Sequence, residues 1–211
     1  MIKELVEFGR RVTAGKSRAL KEEHFAIVLV INEQGEFQRF ITGDKQPIET
    51  EVITAKKGKA RFLLDKCEEV LGLRDGGDVD KKHQLFMDKL ELYRDVSELK
   101  PVFKFYEHQY ENGLNQAKTE FVKIDKKNRS ENITFMVGTT LLLKTKEIKD
   151  AIEKRFHERE KQLVNGRTCS ICGTANTPVL DEPYGLVKMP KGQTAGCALV
   201  SFNEPAFESY G

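Results

Sequence analysis

The stretch 25–31 is the longest strongly apolar run in the sequence, and it constrains the fold more than any other feature. It is rich in β-branched residues, which favour a strand, and it is apolar on both faces, so we expect it inside a sheet. A polar segment, 33–36, follows, and residues 37–42 then alternate between two faces. The pattern therefore predicts a β-hairpin formed by residues 24–32 and 37–42.

The remaining patterns predict an α+β protein. Helical spacing occurs at 1–12, 62–73, 80–95, 99–112 and 146–163, and strand patterns occur at 51–55, 121–124 and 133–137. We expect a mixed, mainly antiparallel sheet with a helical layer or insertion at about 62–112. Residues 1–165 would form this α+β domain. The segment 166–211 is rich in Gly, Pro and Thr, and we expect a loop-rich subdomain with short strands at 186–189 and 198–202.

Charge and composition exclude few functions. The 35 Lys and Arg residues nearly balance 33 Asp and Glu residues, so the net charge is +2, which argues against coating nucleic acid by bulk attraction but leaves local basic patches open. The longest apolar run is about a third of the ~20 residues that a membrane span requires. Because the N-terminus carries charges where a signal peptide would be apolar, we expect a cytoplasmic protein without membrane contact.

The sharpest local pattern is a CxxC turn, Cys169 to Cys172, followed by a glycine. Two thiolates at this spacing suit one tetrahedral zinc ion, and Cys197 is a candidate third ligand, with His157 or Cys67 as a fourth. No second CxxC or CxxH stands at a usual distance, so ordinary thiols beside a turn are the alternative. A redox role is disfavoured because the context lacks a thioredoxin-like βαβ pattern.

Patterns of enzymes are absent from the sequence. It contains no GxSxG, HExxH, GxxxxGK[ST] or GxGxxG string, and its four histidines are scattered. Most carboxylates stand three or four residues from Lys or Arg, as in 146–163, which is typical of a solvent-facing helix. We therefore expect a protein without catalytic activity.

Basic side chains cluster in three predicted loops. The clusters are Lys56, Lys57, Lys59 and Arg61; then Lys126, Lys127 and Arg129; and then Lys188 and Lys191 with Gln193 and Thr194. Cations on loops can reach phosphates without disturbing a core, and a glutamine can hydrogen-bond base edges. The loops therefore predict nucleic-acid contacts, with simple solvated turns as the alternative.

The C-terminal segment 196–211 carries a recognisable set of motifs. It contains Ser201-Phe202-Asn203, then Ala206-Phe207, then Ser209-Tyr210-Gly211, in an order and spacing that closely resemble the large-subunit family of the type I-C CRISPR surveillance complex, Cascade. Upstream, Phe62-Leu63-Leu64-Asp65 and Val70-Leu71-Gly72 resemble the F-L-x-D and V-L-G motifs of that family. The segment 167–173 occupies the place of its C-x-x-[TC]-G turn, and 188–196 that of its Gly/Gln/Ser-rich loop.

The resemblance implies a DNA-binding component for antiviral defence rather than an enzyme. Such a protein recognises the protospacer-adjacent motif in duplex DNA and helps to open the target for pairing with crRNA. Its implied partners are the crRNA-handle-binding subunit, backbone subunits, crRNA, target duplex and displaced strand, with a helicase-nuclease recruited later. The family protein is much longer, so we expect this chain to be a fragment, a split gene product or a shortened variant.

Site residues follow from the resemblance. It gives Lys188, Lys191, Gln193 and Thr194 to contact with the duplex near the motif, and Asn203 to a polar contact at the same surface. The other two basic clusters would hold phosphates, and the aromatic residues of the C-terminal motifs would belong to the core. Two alternatives remain open: a scaffold that contacts the crRNA-handle-binding subunit, and a zinc-ribbon nucleic-acid-binding protein.

Overall fold

The structure is a computed structural model that describes residues 4, 7, 11, 17–52, 60–73, 80–107, 112–162, 168, 173–176, 186–187 and 197–198. The chain divides into two compact units. One unit is Lys16–Arg155, and the other combines Met1–Gly15 with Phe156–Gly211. The predicted division at residue 165 stays a prediction. None of the helices in the described ranges has the length and apolarity that crossing a membrane requires.

The predicted hairpin is confirmed, and its strands are longer than the pattern indicated. Strand β1 is Leu20–Ile31 and strand β2 is Phe37–Glu51, and they pair antiparallel. In the turn between them, the Asn32 side-chain oxygen accepts the backbone N–H groups of Gln34 and Glu36 at 3.0 and 2.9 Å. These bonds replace the ladder bonds that a tight turn cannot make.

One mixed sheet forms the centre of the larger unit. Strands β3 (Leu64–Asp65), β4 (Ile133–Val137) and β5 (Thr140–Leu141) complete it, in the order β2-β1-β4-β3 with β5 also paired to β4. Only the β1–β4 pairing is parallel in this sheet. The predicted α+β class with a mainly antiparallel sheet is confirmed, and β1 is internal as expected because it pairs on both sides.

Helices connect and cover the strands. The helices are α1 (Cys67–Val70), α2 (Asp80–Glu91), α3 (Lys100–Glu107), α4 (Leu114–Phe121) and α5 (Lys146–Gln162), with 3-10 turns at Ser97–Leu99 and Leu142–Lys144. The Phe135 ring on β4 lies 6.4, 6.4 and 6.3 Å from the rings of Phe86, Phe105 and Tyr106. Helices α2 and α3 therefore cover the sheet face that carries Phe135, and these side chains are buried.

The predicted helix at 62–73 is wrong over its first half. Leu63 has a left-handed φ of 55°, and Leu64 pairs with Thr134 in the sheet, so only Cys67–Val70 is helical. The Asp65 carboxylate holds this turn, since it accepts the N–H groups of Arg61 and Lys66 at 2.8 and 3.0 Å. Burial raises the pKa of Asp65, although both N–H groups lower it.

The predicted strand at 121–124 is also wrong. Phe121 ends α4, where it lies on one buried side with Leu114 and Ala117, and a turn follows it. This spacing is helical, and the contact of the Phe121 ring with Phe40, at 5.5 Å, fixes the buried side against the sheet.

The other predicted elements have mixed outcomes. Helices at 80–95, 99–112 and 146–163 and the strand at 133–137 are confirmed, although α2 ends earlier than predicted, and residues 108–111 lie outside the described ranges. The short strands near 186 and 198 appear as β6 (Leu186–Val187) and β7 (Cys197–Ala198), which pair antiparallel. Residues 4, 7 and 11 of the predicted first helix are helical, β2 extends to Glu51, and residues 53–55 lie outside the described ranges.

A Tyr106→Phe variant tests the side-chain hydrogen bond between α3 and α1. The Tyr106 hydroxyl donates to the Val70 carbonyl at 2.9 Å, and burial raises the pKa of this phenol. Loss of the hydroxyl leaves a buried carbonyl without this donor, so we expect unfolding free energy to fall by about 1–2 kcal/mol. Urea denaturation followed by circular dichroism measures the change. An unchanged midpoint would mean that water replaces the hydroxyl.

Candidate nucleic-acid interface

The structure describes four of the twelve residues predicted to bind DNA. They are Arg61, Lys126, Lys127 and Arg129. The others lie outside the described residues, namely Lys56, Lys57, Lys59, Lys188, Lys191, Gln193, Thr194 and Asn203. Strands β6 and β7 nevertheless flank the third basic cluster in the chain. Val187 pairs with Cys197, and the segment that joins them, 188–196, contains this cluster.

The basic turn at 125–129 joins α4 to β4. The Asp125 backbone carbonyl accepts the N–H of Asn128 at 2.9 Å, and its side chain lies 3.6 Å from the Lys127 ammonium. Both members of that ion pair are more than 60% exposed, so the Lys127 charge remains available to a ligand. Lys126 is exposed as well.

Arg129 ties this turn to the end of α4. Its guanidinium donates through Nε to the Ile124 carbonyl at 2.8 Å and through a terminal nitrogen to the Val122 carbonyl. The side chain is half-buried, and its position is set by these two bonds. A positioning role for Arg129 is therefore visible, whereas its predicted phosphate contact stays a prediction.

Arg61 lies among carboxylates. Burial raises the pKa of Glu23, but the Lys21 hydrogen bond and the charges of Lys21 and Arg61 outweigh it, so this pKa is lowered. The Arg61 charge also opposes the rise that burial causes in the pKa of Asp65, although that pKa stays raised. The Arg61 charge therefore already interacts with carboxylates of the protein, and no hydrogen bond or ion pair joins Arg61 to the turn at 125–129, all of which the structure describes.

A groove of about 340 Å³ lies beside the basic turn, between the edge strand β2 and α4. We call it the α4–β2 groove, and its lining is Phe37, Gln38, Arg39, Phe40, Gln116, Glu120, Lys123 and Ile124. Arg39 is exposed and forms no ion pair within the described part of the chain. The Lys123 ammonium contacts the Glu120 carboxylate at 2.6 Å, and the Lys123 side chain is 66% exposed.

Positive charge is in excess along the segment that borders the α4–β2 groove. Residues 114–129 contain five basic and two acidic side chains, a net charge of +3, whereas the whole chain carries +2. A larger groove of about 500 Å³ on the sheet has one cation, Lys144, and one carboxylate, Asp44, in its lining, with an apolar floor that includes Ile41. Only the α4–β2 groove therefore combines concavity with excess positive charge among the two grooves.

Sequence reasoning missed Arg39 and Lys123. Arg39 lies within the predicted strand 37–42, and Lys123 lies within 121–124, where the predicted strand is absent, so neither residue belongs to a predicted loop. The excess of basic residues in 114–129 could have drawn attention to Lys123. No short stretch of sequence indicates that β2 packs close to α4.

The predicted metal ligands stay predictions. Cys169 and Cys172 lie outside the described residues, and only the backbone of Cys197 is described, in β7. The Cys67 thiol donates to the Leu73 carbonyl at 3.7 Å, and burial raises its pKa. Among the described residues, no three His, Cys, Asp or Glu side chains converge on a metal site.

The sequence profile of the CRISPR-associated protein family Cas_Csd1 matches residues 10–211, which is almost the whole chain. The chain belongs to this family. A Cas_Csd1 protein is a component of a Cascade-type CRISPR complex, so this chain assembles with other Cas proteins and crRNA. No curated protein matches the sequence.

Proposed function

We propose that this Cas_Csd1 protein is the DNA-binding large subunit of a type I-C Cascade complex. It recognises the protospacer-adjacent motif in duplex DNA and helps to open the target for crRNA pairing. We further propose that it acts in the cytoplasm, without catalysis or a cofactor of its own. Membership of the Cas_Csd1 family and the motifs of 196–211 support this assignment.

The antiparallel pairing of β6 with β7 is the observation that carries the proposal. It brings the two ends of the segment 188–196 together, so that segment is a single short connection between neighbouring strands. Lys188, Lys191 and Gln193 all belong to it. Cations on such a connection can contact phosphates while the glutamine hydrogen-bonds base edges, which is the combination that motif recognition requires.

Phosphate contacts elsewhere would position the duplex. Lys126 and Lys127 are exposed on a turn in which Arg129 donates a hydrogen bond to the Ile124 carbonyl, just after the end of α4. Contacts of this kind carry no sequence information, but they hold the register in which base edges are read. A near-neutral protein can use them because the other subunits and crRNA contribute the remaining affinity.

Charge reversal in the segment 188–196 tests the proposal. In the assembled complex, Lys188→Glu with Lys191→Glu should weaken binding of a motif-bearing duplex about tenfold or more, since two attractive contacts become repulsive. The preference over a duplex without the motif should disappear. Electrophoretic mobility shift at fixed salt measures both affinities.

A matched control uses two exposed lysines of α5. Lys146→Glu with Lys154→Glu changes the net charge equally but lies on a different element, so binding should be nearly unchanged. Size-exclusion chromatography checks that both variant complexes assemble. Unchanged duplex binding by the Lys188 and Lys191 variant would contradict the site.

A scaffold that contacts the crRNA-handle-binding subunit is the second candidate. It is favoured by Val122 and Leu92, large apolar side chains that are 57% and 48% exposed. Complexes assembled with and without this chain separate the two functions on duplexes with and without the motif. A scaffold changes the yield of complex but adds no motif preference.

A further inference from the structure

Strand β2 lies at one edge of the mixed sheet, and among the strands in the described ranges it pairs only with β1. Residues 41–47 of β2 are exposed throughout, and Ile41 is 40% exposed. An edge of this kind carries backbone N–H and C=O groups that a further strand can bond. Which of these groups point outward follows from the pairing of β1.

The backbone bonds of β1 alternate between its two neighbours. The Ile27 N–H donates to the carbonyl just before β4 at 3.2 Å, and the Ile31 carbonyl accepts the N–H just after β4 at 2.8 Å. Both residues therefore bond toward β4, with which β1 pairs parallel. Because strand residues direct their backbone groups to alternate sides, Val28 and Val30 bond toward β2 instead.

This alternation identifies the backbone groups of β2 that face away from the sheet. Ile41 and Arg39 lie opposite the two valines, so their N–H and C=O groups bond to β1. Phe40 and Thr42 alternate with them, so their N–H and C=O groups point outward. We call residues 39–42 the β2 edge.

We propose that the β2 edge is covered by an extended strand from a neighbouring protein subunit, which bonds the outward groups of Phe40 and Thr42. This chain assembles with other Cas proteins, so protein subunits lie beside it. The strand addition depends on that assembly and requires neither motif recognition nor DNA binding.

The backbone of an extended polypeptide matches the outward groups in kind and in spacing. Phe40 and Thr42 each present one donor and one acceptor, and in a strand they stand about 7 Å apart. An added strand repeats its own donors and acceptors at the same interval. The first residue of β2 already makes a bond of this kind, because the Phe37 N–H donates to the Asn112 carbonyl at 2.6 Å.

Features that discourage strand addition flank the β2 edge but are absent from it. The register with β1 shifts directly after Thr42, and Lys45 and Pro47 follow in the same strand. The register also shifts just before Arg39. Bulges, lysines and prolines are means by which proteins protect edge strands. Residues 39–42 keep a regular register and contain no lysine or proline, so this part of β2 is open to a partner.

The side chains of the β2 edge indicate which segment fits. Arg39 and Ile41 lie on one face of the sheet because they are two residues apart. Arg39 is exposed, and no carboxylate in the described ranges forms an ion pair with it. Directly opposite residues of neighbouring strands interact, and opposite charges stabilise the pair. The added strand should therefore carry an acidic side chain opposite Arg39 and an apolar side chain opposite Ile41.

Helix α4 leaves room for an added strand. The α4–β2 groove lies along this edge, and its far wall extends from Gln116 to Lys123. Seven helical residues rise about 10 Å, which is the length of about three extended residues. Gln116, Glu120 and Lys123 form this wall, so the added strand should direct polar side chains toward α4.

A Thr42→Pro variant tests the β2 edge and spares the bonds to β1, because the N–H that proline lacks points outward. We expect about tenfold less of this chain in the purified complex, since the added strand loses a hydrogen bond and meets the proline ring. Thr42→Val keeps the N–H and is the matched control. Co-purification with the other subunits measures incorporation, and circular dichroism checks the fold of both variants. Equal incorporation of the two variants would overturn the proposal.

Hydrogen exchange of the unchanged chain needs no variant. In the isolated chain, the amides of Arg39 and Ile41 should be protected by β1, whereas those of Phe40 and Thr42 should exchange rapidly. In the assembled complex, exchange at Phe40 and Thr42 should slow about tenfold or more. Rapid exchange in the complex would overturn the proposal. Protection in the isolated chain would also overturn it, because another segment of this chain or a second copy would then cover the edge.

A photocrosslink identifies the occupant of the β2 edge. The photoreactive residue p-benzoylphenylalanine at position 41 should form adducts with a peptide that has an acidic and an apolar residue two positions apart. Adducts with crRNA alone would overturn the proposal. The complex is free of target DNA in all three measurements, so failure of motif recognition does not affect them. The variant reversed at Lys188 and Lys191 should accordingly show the same exchange pattern as the unchanged chain.

Discussion

A Gly35→Ala variant loses about 3 kcal/mol of unfolding free energy, because two costs combine at this position. Gly35 has a φ of +82° in the turn between β1 and β2, a conformation that alanine adopts with strain. A Cβ there would also lie 2.6 Å from the Phe105 backbone nitrogen and 2.7 Å from the Pro101 carbonyl oxygen. Since both atoms belong to the α3 backbone, the turn must withdraw from the helix.

Gly138 provides the matched control. Its φ is +58°, but a Cβ at Gly138 has no atom within 4 Å. Gly138→Ala therefore incurs only the backbone cost, about 1–2 kcal/mol. Urea denaturation of both variants measures the difference, and equal losses would show that the close approach of the turn to α3 contributes nothing.

This contact also bears on the groove. Strand β2 begins at Phe37, directly after the turn, and its first four residues line the α4–β2 groove. A turn that withdraws from α3 moves the strand that carries Arg39.

A Lys89→Met variant loses about 3–5 kcal/mol, because it leaves a buried carboxylate without its counterion. Glu51 at the end of β2 is 7% exposed, and the Lys89 ammonium on α2 lies 2.6 and 2.5 Å from its two carboxylate oxygens. The ammonium also lies 5.8 Å from the centre of the Tyr93 ring. Chemical denaturation at neutral pH measures the loss.

The double variant Glu51→Gln with Lys89→Met is the informative comparison. It removes both charges, so most of the lost stability should return, as expected when a buried pair is replaced by neutral groups. A double-mutant cycle then gives the coupling between the two side chains. A loss below about 1 kcal/mol in the single variant would mean that water screens the pair as it does on a surface.

Local pattern was sufficient for part of this fold. The hairpin, β4 and α5 follow from local sequence, because each is marked over several residues by an apolar run, an alternation of faces or a helical spacing of charges. Strand β3 could not be predicted in this way. It has two residues, Leu64 and Asp65, and it exists because Thr134 and Ile133 of β4 pair with them across a long stretch of chain.

The candidate site likewise has a part that local sequence reveals and a part that depends on long-range contacts. Motifs that are contiguous in the chain point to the family, and the basic residues of the turn at 125–129 can be read directly from the sequence. The folded chain was needed to show that this turn follows a helix and that Arg39 and Lys123 line the same groove. These two residues lie far apart in the chain, and the packing of Phe121 on Phe40 brings their elements together. A contact of that kind depends on the shapes of two packed surfaces, which no short window of sequence contains.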